Sequence, residues 1–289
     1  MECPEALRDF MLSEFATCQE IPQEMSRDIS LHRRSPFVQQ FADRCLQFIL
    51  SYDNYNYDSH TNGEFAVLQR LADKGADIKI VFDVGANTGT WSVTAHDMFP
   101  DAEIHCFEIM PSTCEELRKN VDQKENIIVN EFGLLDKNGE VRVKHYPGHS
   151  ELSSVINYPH SAEHVVATAR GATGDSYTTE HSIDHIDFLK IDVEGSEHLV
   201  LNGFSKTMTG KRVDIIQFEY GLVNILTKFL LIDFYRFLSP RGYRIGRIYP
   251  NYVELRDYVP LRDETFLGPN YLAVRSDRDD LIEALSQGS

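Results

Sequence analysis

The stretch that decides the fold is Val81-Phe82-Asp83-Val84-Gly85-Ala86-Asn87-Thr88-Gly89. An apolar run of strand length ends in a Gly-x-x-x-Gly turn, and the residues after it have helical spacing. Two glycines let the backbone bend sharply and approach a bulky ligand where a Cβ would collide. The helix beyond offers free N–H groups at its amino end. A dinucleotide-binding turn would instead carry Gly-x-Gly-x-x-Gly, so that a pyrophosphate could rest on that helix. Here Ala86 to Thr88 separate two glycines, and Asp83 would set a carboxylate beside the pyrophosphate. A carboxylate suits a ligand carrying an ammonium and a sulfonium, which points to S-adenosylmethionine. Taken alone, the stretch fits an ordinary strand–turn–helix corner equally well.

Working outward, the same texture repeats. Short apolar runs over 78–84, 103–108, 126–130, 186–193 and 213–219 read as strands, and helical spacing over 90–98, 112–121, 196–201 and 225–238 alternates with them. A β-rich stretch, clearest over 141–145, leads into a loop-like segment reaching 180. Runs over 243–248 and 270–275 close the pattern as an antiparallel pair. This alternation predicts an α/β fold, a Rossmann-like and mostly parallel sheet whose last strand is antiparallel, with ligands at the carboxyl ends of the strands. Residues 1–75 read as an N-terminal helical extension. In it Phe37, Phe41, Cys45, Phe48 and Ile49 share one face, Tyr52, Tyr55 and Tyr57 mark an exposed turn, and Phe65, Val67, Leu68 and Leu71 start a second amphipathic run. The expected division is an extension over 1–75 serving as lid or homodimer contact, a sheet domain over 76–278, and a tail over 279–289.

Acids end the other strands. Cys106-Phe107-Glu108 places a carboxylate at the tip of the second strand, where the two hydroxyls of a ribose are held. Glu108 says nucleoside, and the glycine turn with Asp83 favours the methyl donor over NAD. Phe188-Leu189-Lys190-Ile191-Asp192-Val193-Glu194-Gly195-Ser196-Glu197 carries Asp192 near a strand end and Glu194 in the turn after it. Ile215-Ile216-Gln217-Phe218-Glu219 ends in Glu219. A parallel sheet brings these tips to one rim, and clustered carboxylates raise at least one pKa toward that of a general base. Asp192, Glu194 and Glu219 are therefore the candidate catalytic residues, whereas Glu197 reads as a helix-start cap. Three hard oxygen donors also suit magnesium. A metal-free base is preferred, because Tyr220 rather than an Asp or Asn follows Glu219, and no metal ligand is assigned.

Composition narrows the partners. Forty-five Asp and Glu against 28 Lys and Arg give a formal net charge of −17, which repels phosphate backbones and anionic lipid, so neither nucleic acid nor membrane is an expected partner. Cys3, Cys18, Cys45, Cys106 and Cys114 form an odd set without a CxxC pair, which argues against a disulfide framework or a zinc knuckle. Glu2 stands where a signal peptide would carry a basic residue, and no apolar run approaches membrane-spanning length, so the expectation is a cytoplasmic protein.

With these residues in view, the chain resembles the FkbM family of methyltransferases. The run from Ile186 to Glu197, with Leu201 and Gly203 after it, is similar to that family's signature, and Asp83 to Gly89 matches its Asp-Val-Gly-Ala-Asn-x-Gly turn. Asn62-Gly63-Glu64 resembles the entry segment and Asn270-Tyr271-Leu272-Ala273 the last strand. The resemblance implies a class I methyltransferase sheet, S-adenosylmethionine as donor, and O-methylation of a small molecule, natural product or sugar. It carries over Asp83, Gly85, Asn87, Gly89 and Glu108 as cofactor contacts, with Thr88 and Ile109 beside them. Two departures fall where an acceptor would be read. Thr178-Thr179-Glu180-His181-Ser182-Ile183 replaces the family's Thr-Leu-Asp stretch, and the loop with His149, His160 and His164 is particular to this chain. These histidines lack ligand spacing and read as surface residues.

The leading function is thus methyl transfer to an oxygen nucleophile of a small molecule. In-line displacement rests mostly on positioning, with a base to take the hydroxyl proton. The alternatives are an NAD(P)-dependent oxidoreductase, disfavoured by the missing third glycine, and a catalytically silent nucleoside- or partner-binding fold.

Overall fold

A computed structural model of the chain describes residues 3–15, 18–146, 153–156 and 163–286. It divides into two compact units, Met1–Tyr55 and Asn56–Ser289. None of the described helices is long and apolar enough to cross a membrane.

The first unit is helical. Helix α1 (Glu5–Asp9) runs into a π-helical turn at Phe10–Glu14, followed by α2 (Gln23–Leu31) and α3 (Pro36–Tyr52). Pro36 opens α3, where a missing N–H leaves no helical bond unmade. Leu7, Phe10, Met11 and Val38 form a small core, with Phe15, Phe37 and Phe41 packed on it. The expected apolar face of α3 therefore splits: its first half is packed, while Phe48 and Ile49 are exposed.

The second unit begins before the sheet. Helix α4 (Glu64–Asp73) buries Val67, Leu68 and Leu71 completely in its core. The helical extension read over 1–75 thus ends at Tyr55, because α4 belongs to the sheet unit by its packing.

The sheet strands are β1 (Ile80–Val84), β2 (Glu103–Phe107) and β3 (Ile127–Asn130). A side sheet holds β4 (Gly133–Leu134), β5 (Gly139–His145) and β6 (Val165–Ala172). The main sheet resumes with β7 (Ile186–Ile191), β8 (Val213–Glu219), β9 (Tyr243–Tyr249), β10 (Tyr252–Leu255) and β11 (Asn270–Arg275). Its order is β10-β9-β11-β8-β7-β1-β2-β3. From β3 to β8 all neighbours are parallel, and β11 lies antiparallel between β8 and β9. This is the expected Rossmann-like sheet, with β10 as an edge strand that the pattern did not show. Chain order reverses at β1, which pairs β2 on one side and β7 on the other. A crevice opens at the carboxyl ends of strands at such a switch point.

Helices α5 (Thr90–Met98), α6 (Pro111–Val121), α7 (Gly174–Glu180), α8 (Glu197–Gly203) and α9 (Ser205–Thr209) follow their strands, then α10 (Asn224–Thr227), α11 (Leu231–Leu238), α12 (Pro260–Asp263) and α13 (Asp279–Ser286). Alternation along the strands feeds two apolar layers. Phe82, Phe107, Leu189 and Ile216 face one; Val81, Ile104, Phe188 and Ile215 face the other. Each fully buried side chain of this size is worth about 1.5–3 kcal/mol.

Three expectations need correction. The segment read as a loop up to 180 contains β6, zipped antiparallel to β5, and α7, whose cap Thr173 accepts from the Ser176 N–H. The single helix read over 225–238 is broken into α10 and α11 at Lys228, which has φ +56°. The tail read over 279–289 holds α13, whose Leu281 and Leu285 are buried in the second apolar layer. Its apolar residues recur at helical spacing, a signal that a tail assignment overlooked.

Candidate active site

The ends of β1, β2 and β7 frame a cavity lined by Gly85, Asn87, Glu108, Ile109, Asp192 and Glu194. Local backbone rules explain why these loops come together. The N–H groups of Gly85 and Ala86 both donate to the Phe107 carbonyl, and the Asp192 N–H donates to Val84. Gly85 has φ +83°, and a Cβ there would run into the Asp192 carbonyl. Its smallness therefore serves the crossing of two loops as well as the approach of a ligand.

Glu108 sits where the sequence placed it. It is buried at the cavity edge; its Oε2 accepts from the Asn87 N–H (3.0 Å) and its Oε1 from the Met110 N–H (2.8 Å). Burial lifts its pKa, and the backbone N–H groups oppose the rise. Each oxygen keeps a further lone pair, enough to accept from a diol.

Asp83 departs from expectation. It is fully buried, does not line the cavity, and is spent inside the protein. Ser92 Oγ donates to its Oδ2 (2.6 Å), and Lys190 Nζ lies 3.5 Å from its Oδ1. The reason is strand alternation: Val84 lines the cavity, so Asp83 faces the opposite layer, directly beside Lys190 in the β1–β7 register. The cation that its carboxylate answers is the protein's own. Gly89 and Thr88 also lie off the cavity. Gly89 has φ +89° and lets α5 approach Leu117 of α6, and the Thr88 carbonyl accepts from Asn120 Nδ2.

The three candidate acids do converge: Asp192, Glu194 and Glu219 each offer an oxygen within 4.8 Å of the others. Asp192 and Glu194 line the cavity, and Glu219 does not. Their states differ. Lys190 Nζ is 2.9 Å from Asp192 Oδ2, which ties that carboxylate to an ammonium. Burial and the repulsion of Asp192, Glu194, Glu197 and Glu64 push Glu219 well above the usual carboxylate range. Glu194 has φ +52°, and its carbonyl accepts from Ser154 Oγ (2.8 Å). Glu197, read as a helix-start cap, instead ties down the turn before α8: its Oε1 accepts from the N–H groups of Val193 (3.2 Å) and Gly195 (3.1 Å). It is also buried, which lifts its pKa to about 7.

Sequence reasoning passed over several residues. Lys190, 4% exposed, lay inside a quoted motif without a role. Burial alone would discharge it, and Asp192, Asp83 and Glu64 outweigh that to keep it charged. Glu64 is clamped by Asn62, Gln217 and Asn270, at 2.8, 2.9 and 2.8 Å. Ser153, Ser154 and Val155, from the excursion between β5 and β6, wall the cavity, and the buried Ser196 Oγ lines it without a hydrogen-bond partner. No short-range pattern links residue 154 to residue 194; only the fold does. His164 lies with its ring 5.4 Å from that of Tyr146, and His149 and His160 fall outside the described residues. A second acid group, His185 with Asp187 and Asp214, is closed by Arg275 and Arg278 on Asp214.

With this geometry in hand, comparison with known proteins decides the family. A model of the methyltransferase FkbM domain matches residues 83–245, more than half of the chain. The chain belongs to the FkbM methyltransferase family. Among its relatives, the hexuronic acid methyltransferase AglP of Haloferax volcanii is 22% identical over 191 residues, covering 65% of this chain and 77% of the relative. The 2-O-methyltransferase NoeI of Sinorhizobium fredii is 26% identical, covering 49% and 63%. The 31-O-demethyl-FK506 methyltransferase FkbM of Streptomyces tacrolimicus is 31% identical, covering 43% and 58%. The chain thus spans under two thirds of the latter two. A solved FkbM methyltransferase from Methylobacillus flagellatus aligns at a TM-score of 0.45 with 16% identity, over 68% of this chain and 44% of the other. The methyltransferase class read from the sequence is borne out, and neither alternative class finds support among these relatives.

Proposed function

We propose that this FkbM-family protein transfers a methyl group from S-adenosylmethionine to a hydroxyl oxygen of a small molecule. The observation that carries the reading is that Glu108, Asp192 and Glu194 line one cavity at the switch point of the sheet, with a Glu219 oxygen within 4.8 Å of those of the two acids Asp192 and Glu194. The residues fit the donor. Glu108 offers a ribose-holding carboxylate at the β2 tip, Gly85 and Asn87 shape the turn, and the orphaned Ser196 Oγ supplies a buried polar contact. When bound, the donor supplies a sulfonium-borne methyl group, and its loss leaves a neutral thioether.

The rest is the work of the chain's own groups. Lys190 pairs with Asp192 and fixes its carboxylate in place. Glu219, with its raised proton affinity, is the base that receives the acceptor's proton. Glu194, beside it, orients the hydroxyl. In this reading the acid cluster works without a metal, with Lys190 paired to Asp192 on one side.

Isothermal titration tests the reading. S-adenosylhomocysteine binds and NADH does not; the reverse result would overturn it. In single-turnover methylation, Glu219→Gln slows the chemical step by roughly 10²–10⁴-fold, the usual worth of a positioned base, while EDTA leaves the wild-type rate unchanged. Rate lost to EDTA and restored by magnesium would replace the base by a metal ion.

A further inference from the structure

Beyond the acidic rim the surface turns apolar. Leu222, Ile225 and Leu226 are 51%, 51% and 41% exposed, and all lie in the turn and short α10 that follow Glu219. The segment is firmly held from below. Asn224, 1% exposed, accepts from the Gly221 N–H (2.8 Å) and donates to the Phe229 carbonyl (3.0 Å). Val223 packs on the turn that carries Glu194, where a Cβ on Gly195 would come within 2.6 Å of its Cγ2. Three aliphatic side chains are thus exposed on a segment with a buried anchor, which follows Glu219 in the chain and packs through Val223 on the turn after Glu194. A contiguous apolar patch beside a polar site marks a binding surface.

Charge selects the occupant. Asp192, Glu194 and Glu219 each bring an oxygen within 4.8 Å of the others, and the Lys190 ammonium is already shared between Asp83 and Asp192. An anionic acceptor would meet like charge at the point where its hydroxyl must dock.

We infer that the acceptor is an uncharged hydroxyl compound with an aliphatic portion, its hydroxyl at Glu219 and its aliphatic part on Leu222, Ile225 and Leu226. This rests on the methyltransferase reading above. It sets the protein apart from a relative named for a hexuronic acid, since a sugar carboxylate would meet these acids, and the Lys190 ammonium beside them is already paired.

The test is isothermal titration of the protein with three probes below their micellar range, in the presence of S-adenosylhomocysteine: octyl β-D-glucopyranoside, methyl β-D-glucopyranoside and octyl β-D-glucopyranosiduronate. The octyl glucoside binds roughly tenfold or more tighter than the methyl glucoside, because its chain leaves water. It also binds tighter than the uronate. Ile225→Ser and Leu226→Ser each weaken the octyl glucoside by about threefold or more and leave the affinity for S-adenosylhomocysteine as it was. Equal binding of the two glucosides, tighter binding of the uronate, or no binding of the octyl glucoside overturns the inference. So does sedimentation showing that Ile225→Ser splits a dimer, which would assign the patch to a second copy. Failure of S-adenosylhomocysteine itself to bind would strike the methyltransferase reading instead.

Discussion

At Lys190 a single ammonium serves two strands, and its removal tests how the site is held. Lys190→Met leaves Asp83 buried without its cation and should cost about 3–5 kcal/mol, read by urea unfolding. Adding Asp83→Asn should recover much of that loss; no recovery would mean that Lys190 acts through other contacts. Glu108→Ala should weaken S-adenosylhomocysteine binding by about 1.5–3 kcal/mol, the worth of hydrogen bonds to a charged group. Unchanged affinity in the folded variant would put the ribose elsewhere. Glu197 gives the molecule a pH signature. Its pKa rises from an ordinary 4.5 to about 7 in the fold, so the folded state keeps a proton that the unfolded chain gives up. The stability this confers is full below about pH 4.5 and is lost as pH rises through about 7, with a slope approaching 1.4 kcal/mol per pH unit. Burial moves Glu64, Glu108 and Glu219 the same way. Glu197→Gln keeps the acceptor for Val193 and Gly195 and should flatten part of the slope in denaturation midpoints measured from pH 5 to 8.

At the level of elements, the helices missed or misread by pattern are held by packing that can be measured. Helix α13 lies on α4 and β10, with Leu285 fully buried. Leu285→Ala should cost about 2–5 kcal/mol, as large-to-small changes do in a filled core. A change near zero would show that the helix is only laid on the surface. The break between α10 and α11 has a parallel logic. Asn224 and the left-handed Lys228 stop the helix, and the chain turns so that Glu264 accepts from the N–H groups of Leu231 and Ile232 at the start of α11. A carboxylate on the amino end of a helix satisfies both its free donors and its dipole.

For the whole molecule, the division at Tyr55 makes a sharp prediction about truncation. A chain beginning at Asn56 keeps α4 and the complete sheet unit, so it should fold and bind S-adenosylhomocysteine like the full chain. A chain beginning at residue 76 loses Val67, Leu68 and Leu71 from the core and Glu64 from its clamp, and should not fold. Circular dichroism and titration of the two truncations decide it. Equal behaviour of both would restore the boundary near 75.

The sequence by itself determined the strands and their tips. Apolar runs of strand length and glycine-marked turns are local signals, and they placed β1, β2, β7 and β8, together with Glu108, Asp192, Glu194 and Glu219. It could not say which way Asp83 points or what answers its charge, because that depends on strand register and on Lys190, far along the chain and adjacent only in the sheet. Nor could it show that Ser154 would reach Glu194, that α4 belongs to the sheet unit, or that one carboxylate of the cluster pairs with Lys190 while burial and its acidic neighbours push another toward protonation. Burial and charge pairing are properties of neighbours in space, and only the tertiary structure fixes those neighbours.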